Sequence, residues 1–329
     1  MEGTDFADFD NVFHGAWQRI TNALVWANNY GLGVLIGTSR DVRSIAYEGL
    51  NASTDLHAAP GKQNGDAHGG TSGEPHFFEK NNMAHTTHVL TTLASHLAEF
   101  SQSHDPPLLN VLGIEVLNEP MQHGTLDKWY INTIRAIRNV YRVPVYIGDC
   151  WVPDQWARYI HSHAELIPFT ILDHHLYRCF TPNDGSTPVT QHVKNLSDPN
   201  ADTPQTFARV AQKLEDAGSA LIVGEWSGAL NPNSLAGTKD DIGARKDYVR
   251  AQLALYEKYC AGYYFWTYKK EKPGDKGWCL RDAVECGVFP NRVGLEASVL
   301  PENSPEMEAR KDKAKEAAIS GANSWLMRP

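Results

Sequence analysis

The chain has 329 residues, of which 42% are apolar and 21% are charged, and its formal net charge is −9. This composition is typical of a globular protein and excludes a largely disordered chain. The acidic balance argues against nucleic-acid binding, which needs a basic face to neutralise phosphates. No apolar run reaches the ~18 residues of a membrane span, and the acidic, polar start of the chain is unlike a signal peptide.

Strand-like and helix-like segments alternate along the chain, without a repeat or an obvious linker. The strand-like runs are almost continuously apolar, as in parallel strands that are covered on both faces. The helix-like segments have apolar residues at spacings of three and four. The strands are predicted at 33–36, 111–118, 143–149, 169–175, 220–225 and 262–266, and the helices at 16–30, 83–101, 126–141, 203–217, 240–259 and 304–326.

This alternation predicts an α/β fold with a parallel sheet. Six β/α units indicate a (β/α)8 TIM barrel, but six is two short of eight, and the chain opens inside a helix with no strand before it. We therefore expect an incomplete barrel whose first two strands are absent from this chain.

The five cysteines contain no CxxC pair, which argues against a zinc ribbon or a thioredoxin-like site. Two interpretations stay open, since the chain can form up to two disulfides or keep free buried thiols. The cysteines are at positions 150, 179, 260, 279 and 286.

Two glutamates stand at the ends of two different predicted strands. Glu119 follows an apolar run and is stopped by Pro120, and Glu225 lies between Gly224 and Trp226. In a barrel, the carboxyl ends of the strands form the active-site face. Two carboxyl groups facing each other there are what glycoside hydrolysis requires. The alternative is that each is a solvated rim charge or half of an ion pair.

A third strand end carries His175 and Tyr177, which share one face of the strand because they are two residues apart. They can hydrogen-bond a sugar or a nucleophile, or His175 can be an ordinary core histidine. Asp173 and His174 add metal-ligand types, but neighbours on a strand point to opposite faces and do not ligate together easily. Trp266 ends the last strand, either as the floor of a sugar site or as a core aromatic residue.

Two further segments carry weaker signals. The loop Gly61-Lys62-Gln63-Asn64-Gly65 resembles a phosphate-binding loop in composition only, because it lacks the required spacing. The segment Asp66-Ala67-His68 is interpreted as ordinary loop polarity. No Gly-x-Ser-x-Gly elbow is present, which argues against a serine hydrolase.

Taken together, these segments resemble the signature segments of glycoside hydrolase family 5, most closely the fungal exo-β-1,3-glucanases and related β-glucan hydrolases. The likeness extends from about residue 15 to about residue 290, and five motifs occur in the family's order. They are Asp55-Leu56-His57, Leu117-Asn118-Glu119-Pro120, Asp173-His174-His175-Leu176-Tyr177, Val223-Gly224-Glu225-Trp226-Ser227 and Phe265-Trp266-Thr267-Tyr268-Lys269.

The resemblance implies a retaining β-glycosidase that hydrolyses β-1,3- or β-1,6-glucan by double displacement, with no cofactor and no metal. Its acid should have a pKa raised by burial beside a second carboxylate, and its charged nucleophile should lie near Tyr177 or other donors. By position, Glu119 matches the acid/base and Glu225 matches the nucleophile. Trp266 matches the stacking platform. The positions that match substrate-binding and orienting residues are Asn118, His57, His175 and Tyr177.

The chain departs from the family pattern in two places. Relatives begin with two further strands, one of which bears an arginine that reaches the nucleophile, and this chain has no counterpart for it. Here an insert of 18 residues, 37–54, polar overall and without a clear period, also intervenes between the first predicted strand and His57. We hypothesise that this insert is a translated intron or a similar gene-model error. The alternative is a genuine loop insertion, which would push His57 away from its strand end. A smaller departure is Tyr268, where relatives often carry a second tryptophan.

The sequence therefore predicts one glycoside hydrolase domain over residues 1–329, with an atypical insert at 37–54. The competing hypothesis is a truncated, non-catalytic remnant that binds glucan weakly at most. The expected partner is a β-glucan polysaccharide or oligosaccharide acted on by a monomer, with no nucleic acid and no membrane span. The resemblance places the protein outside the cell or in the cell wall, and Asn51 and Asn195 stand in glycosylation sequons.

Overall fold

The computed structural model describes residues 9–29, 31–36, 52–53, 56–69 and 73–290. The chain divides into two compact units, Met1–Phe289 and Pro290–Pro329, and every element below belongs to the first unit. The predicted helix at 304–326 lies outside the described residues.

The core of the structure is a sheet of seven parallel strands in the order β2-β1-β3-β4-β5-β6-β7. All six predicted strands are present, and most of them are shorter than the apolar runs that predicted them. The strands are β1 Val34–Ile36, β2 Ala52–Ser53, β3 Val111–Glu115, β4 Val145–Gly148, β5 Thr170–Leu176, β6 Leu221–Trp226 and β7 Gly262–Phe265. The unpredicted strand, β2, has two residues and lies inside the insert at 37–54.

Helices connect the consecutive strands from β2 to β7. Five of the six predicted helices are confirmed, and four shorter ones were not predicted. The helices are α1 Phe9–Asn29, α2 Lys80–Gln102, α3 Leu126–Val140, α4 Pro153–Ser162, α5 Pro182–Ser186, α6 Val189–Ser197, α7 Asp202–Glu215, α8 Asp241–Tyr259 and α9 Leu280–Glu285.

The architecture is that of an incomplete (β/α)8 barrel. Within the described residues the sheet extends from β2 at one edge to β7 at the other and does not close on itself. The predicted fold class is therefore confirmed. In such a fold, the carboxyl ends of the parallel strands lie along one rim of the sheet.

Buried aliphatic side chains fix the positions of these strand ends. Ile114, Val145, Leu172 and Val223 are fully buried on four neighbouring strands. Each such side chain contributes roughly 1.5–3 kcal/mol by leaving water. The polar residues that follow β3, β5 and β6 are consequently held by a packed core and not by loops alone.

The structure shows whether the cysteines form disulfides and whether a helix is long and apolar enough to span a membrane. All five cysteines are free thiols, and burial raises the pKa of Cys150 to about 12 and that of Cys179 to about 11. No helix among the described residues combines the length and the apolar character that a membrane crossing requires.

Candidate active site

Glu119 lies just beyond β3, in a left-handed backbone conformation with φ of 44°. The segment 56–69 holds this turn from the other side. The side-chain amide of Asn64 donates to the backbone carbonyl of Glu119 at 2.7 Å, and that of Gln63 donates to the carbonyl of Asn118 at 3.1 Å. Glu119 is therefore positioned by side chains from a neighbouring loop.

Two imidazole rings contact the Glu119 carboxylate. His175 Nδ1 lies 2.7 Å from Oε1, and His68 Nε2 lies 3.4 Å from Oε2. Burial raises the pKa of Glu119, but the hydrogen bond and charge of His175 outweigh it, with further lowering by His68 and His57, so the net shift is downward. The expected rise in this pKa was wrong because the prediction did not place imidazoles beside the carboxylate.

Glu225 occupies a different environment, inside strand β6, where it is buried. The hydroxyl of Tyr177 donates to its Oε2 at 2.7 Å, which is the contact that the sequence predicted. Burial and the charge of Glu225 raise the pKa of Tyr177, so the phenol stays protonated and remains a donor.

His175 stands between the two glutamates. Its Nδ1 is 3.6 Å from Glu225 Oε2 as well as 2.7 Å from Glu119 Oε1, and its Nε2 is 3.3 Å from Asp173 Oδ2. Burial lowers the pKa of His175, but these surrounding carboxylates raise it well above the ordinary value. One carboxylate oxygen of Glu119 lies within 4.8 Å of one carboxylate oxygen of Glu225.

Asp173 connects β5 to β6 beneath these groups. It is buried, and its Oδ1 accepts a hydrogen bond from the backbone N–H of Gly224 at 2.6 Å. A Cβ at position 224 would lie 2.1 Å from Asp173 Oδ2. Only glycine therefore allows this close approach, next to Glu225 in the chain.

Aromatic rings form one wall of the site. The half-exposed ring of Trp266, at 41%, faces the ring of His57 with centroids 5.4 Å apart and planes 8° apart. The His57 ring also lies 5.0 Å from His68. His57 thus lies at the site despite the insert that precedes it. The ring of His57 covers one face of Trp266.

Asn118 is fully buried, yet its side-chain amide is unsatisfied. Neither its oxygen nor its nitrogen has a hydrogen-bond partner among the described residues. Buried polar atoms are nearly always paired in folded proteins. The amide is also closed to solvent, so a ligand hydroxyl would reach it only after neighbouring groups move.

The structure brings six of the seven predicted residues into one connected group, and Asn118 precedes Glu119 directly in the chain. Sequence reasoning missed the roles of Gln63, Asn64 and His68, and the interpretation of His68 as loop polarity was wrong. The loop motif containing His57 was the available signal, because it continues directly into these residues. Sequence reasoning also missed Glu115, a buried carboxylate close to Asp173 and His175. It is the last residue of an otherwise apolar strand, so it was interpreted as part of the strand.

Three overlapping clusters among the described residues have donor atoms spaced for a metal ion. They are Asp66, His68 and Glu119; Glu119, His175 and Glu225; and Glu115, Asp173 and His175. In the two clusters that contain His175, this ring already has carboxylate partners at its two ring nitrogens. A protonated imidazole offers no lone pair to a metal. These contacts suit His175 to passing a proton between carboxylates.

Residues 14–272 match the family model for cellulase, glycosyl hydrolase family 5. The chain is 32% identical over 309 residues to glucan 1,3-beta-glucosidase 3 of Schizosaccharomyces pombe, covering 92% of this chain and 58% of that protein. It is 29% identical to an uncharacterized glycosyl hydrolase of Saccharomyces cerevisiae, covering 89% and 53%. The chain thus spans somewhat more than half the length of these relatives.

Among solved structures, rutinosidase from Aspergillus niger shares the fold, with a TM-score of 0.54, 18% identity and coverage of 82% of each chain. The match to the family model extends over most of the chain and includes both glutamates. This chain therefore belongs to glycosyl hydrolase family 5.

Proposed function

We propose that the protein hydrolyses β-1,3- or β-1,6-linked glucan with retention of configuration, through a covalent glycosyl-enzyme. The observation that supports this proposal is that an oxygen of Glu119 and an oxygen of Glu225 lie within 4.8 Å of each other, with His175 Nδ1 at 2.7 Å from Glu119 Oε1 and 3.6 Å from Glu225 Oε2. Retaining enzymes keep their carboxyl groups roughly 5–5.5 Å apart, whereas inverting enzymes need roughly 6.5–9.5 Å to admit a water molecule.

In the proposed reaction, Glu225 attacks the anomeric carbon and the glycosidic bond breaks as the ester bond forms. Glu119 gives a proton to the departing oxygen, then removes one from the water that hydrolyses the ester. The hydrogen bond from Tyr177 favours the charged form of Glu225. The proton of the acid is shared along the 2.7 Å contact between His175 Nδ1 and Glu119 Oε1.

The proposal assigns substrate contacts to Asn118, His57, His175, Tyr177 and Trp266. The unsatisfied amide of Asn118 would pair with a sugar hydroxyl once neighbouring groups move. The half-exposed ring of Trp266 suits the apolar face of a pyranose. The choice of glucan follows the Schizosaccharomyces pombe relative, which is a glucan 1,3-beta-glucosidase. We extend the proposal to a monomeric enzyme with one catalytic domain that acts outside the cell or in the cell wall.

A second candidate, a protein that binds glucan weakly without turnover, is favoured by one observation. The ring of His57 covers one face of Trp266, which reduces the platform available to a sugar. This candidate predicts retention on insoluble glucan and no release of sugar.

The test is reducing-sugar release from β-1,3-glucan and β-1,6-glucan by the unaltered protein, Glu225→Gln and Glu215→Gln. Glu215 is exposed on α7 and serves as the matched control. We expect turnover by the unaltered protein and the control, and a loss of roughly 10⁴-fold or more in Glu225→Gln. Binding without turnover by the unaltered protein would instead support the second candidate.

A further inference from the structure

A second histidine lies at the carboxylate oxygen of Glu119 that does not bond to His175. His68 Nε2 is 3.4 Å from Glu119 Oε2. Asp66 is exposed, and one of its carboxylate oxygens lies within 4.8 Å of a ligand atom of His68 and of Glu119. The proposed reaction uses neither Asp66 nor His68. These two side chains therefore bring metal-ligand atoms to the proposed acid without a part in the chemistry.

The side-chain amide of Asn64 determines which nitrogen of the His68 ring carries a lone pair. The amide nitrogen donates to the backbone carbonyl of Glu119 at 2.7 Å, and the amide oxygen accepts the backbone N–H of Asp66 at 2.9 Å, so the amide cannot be reversed. The same nitrogen lies 2.9 Å from His68 Nε2. In its neutral form, the ring therefore accepts a hydrogen bond at Nε2 and keeps its proton on Nδ1. A neutral imidazole with such a lone pair is the form that binds a metal ion.

The distance between His68 and Glu119 suits a zinc ion. Two ligand atoms that are each about 2.0–2.1 Å from a tetrahedral zinc ion lie about 3.3–3.4 Å apart. The separation of His68 Nε2 and Glu119 Oε2 is 3.4 Å. When the ring is neutral and the carboxylate is ionised, the two atoms present electron pairs to each other with no hydrogen between them. A cation that binds both atoms replaces this repulsion with attraction.

The ligand types and their exposure also favour zinc. One imidazole and two carboxylates form a ligand set for zinc, whereas calcium and magnesium prefer oxygen ligands alone. The side chains of His68 and Glu119 are 26% and 13% exposed, so an ion reaches them from solvent. The exposed side chain of Asp66 can change its rotamer quickly to complete the site. Water then occupies the fourth position.

We propose that Asp66, His68 and Glu119 form a zinc site and that zinc bound there inhibits the enzyme. The Glu119 carboxylate cannot take up the proton that it gives to the departing oxygen while it binds zinc. Zinc is thus an inhibitor of the proposed reaction and not its cofactor. The inhibition rests on the proposed function, whereas the binding of zinc does not.

Isothermal titration calorimetry of the intact, chelator-treated protein with zinc chloride tests the site itself. We expect one saturable site per chain. His68→Ala should weaken it by more than about 10–100-fold, which is the cost of losing an outer-shell partner alone. Asp66→Asn alters an exposed side chain, so it should fold normally and weaken binding about tenfold. Binding that both variants leave unchanged overturns the site.

Two control variants distinguish this site from other zinc ligands. Glu225→Gln removes a ligand of the neighbouring cluster with His175 and should leave zinc binding unchanged. His76→Ala removes an exposed histidine that lies 3.2 Å from the Glu79 carboxylate, and it should also have no effect. A loss of affinity in Glu225→Gln as large as in His68→Ala assigns zinc to the other cluster and overturns the proposal.

Kinetics with and without zinc test the inhibition. Saturating zinc should lower kcat/KM for glucan about tenfold or more, and a chelator should restore it. Asp66→Asn should keep its activity in the absence of zinc and need about tenfold more zinc for the same inhibition. Zinc that binds without inhibiting overturns the inhibitory role. Absence of turnover without zinc overturns the proposed function, whereas the zinc site is decided by calorimetry alone.

Discussion

The surroundings of Glu119 and Glu225 differ in both structure and chemistry. Glu225 lies within a hydrogen-bonded strand and faces a phenol that stays protonated. Glu119 lies beyond the end of its strand, and its backbone carbonyl is held by Asn64 from another loop. Its carboxylate faces the titratable rings of His175 and His68.

This difference corresponds to the two tasks in the proposed reaction. A nucleophile needs a fixed position and a constant negative charge, and a strand with a neutral donor provides both. An acid that later becomes a base must change its protonation state twice in each cycle, so it benefits from a titratable partner such as His175. The predictions below therefore separate changes that affect proton delivery from changes that affect the nucleophile.

Beyond Glu225→Gln, the largest effect is expected from Glu119→Gln. It should lower kcat/KM for glucan by roughly 10²–10⁴-fold, the range for loss of general acid catalysis. Because fluoride departs without a proton, kcat/KM for β-glucosyl fluoride should fall far less. Steady-state kinetics on both substrates measures the contrast. Equal losses on the two would show that Glu119 does more than deliver a proton.

A smaller effect is expected from Gly224→Ala, which acts on the nucleophile. The added methyl would lie 2.1 Å from the Asp173 carboxylate and must displace it or the strand beside Glu225. We expect kcat/KM to fall about 10²-fold, the cost of a misplacement of about 1 Å, on glucan and fluoride alike. Gly124→Ala is the control, since its Cβ would contact nothing within 4 Å. Full activity of Gly224→Ala on the fluoride would contradict this account.

The smallest effect is a displaced pH profile. The pKa of Glu119 is lowered from 4.5 and that of His175 is raised above 6.5, so the pair holds one shared proton between those values. That proton is retained as the pH rises past 6.5 and is lost only above the raised pKa of His175. The basic limb of kcat/KM on glucan should therefore have its midpoint above 6.5.

β-Glucosyl fluoride provides the control for this profile, because fluoride departs without a proton. The basic limb of kcat/KM for this substrate should therefore be weak or absent. A glucan midpoint below 6.5 would mean that the proton of His175 does not serve Glu119. The proposed role of His175 as the titratable partner of Glu119 would then be wrong.

The sequence predicted the strands and the residues at their ends well, because an apolar run that stops at Asn118-Glu119 or Gly224-Glu225 encodes both burial and a boundary. It could not predict the lowered pKa of Glu119, which depends on the rings of His175 and His68 approaching from other elements. It also missed β2, because two residues carry no periodic pattern.

The unsatisfied amide of Asn118 has a consequence for the stability of the whole protein. A buried polar group without a partner costs about 1–3 kcal/mol, and this cost lowers the free energy of unfolding. Under the proposed function, a sugar hydroxyl that reaches the amide and pairs with it would return this free energy to the folded state alone. Resistance to unfolding would then be linked by mass action to the concentration of glucan, so the same side chain would couple the lifetime of the protein to the supply of the proposed substrate.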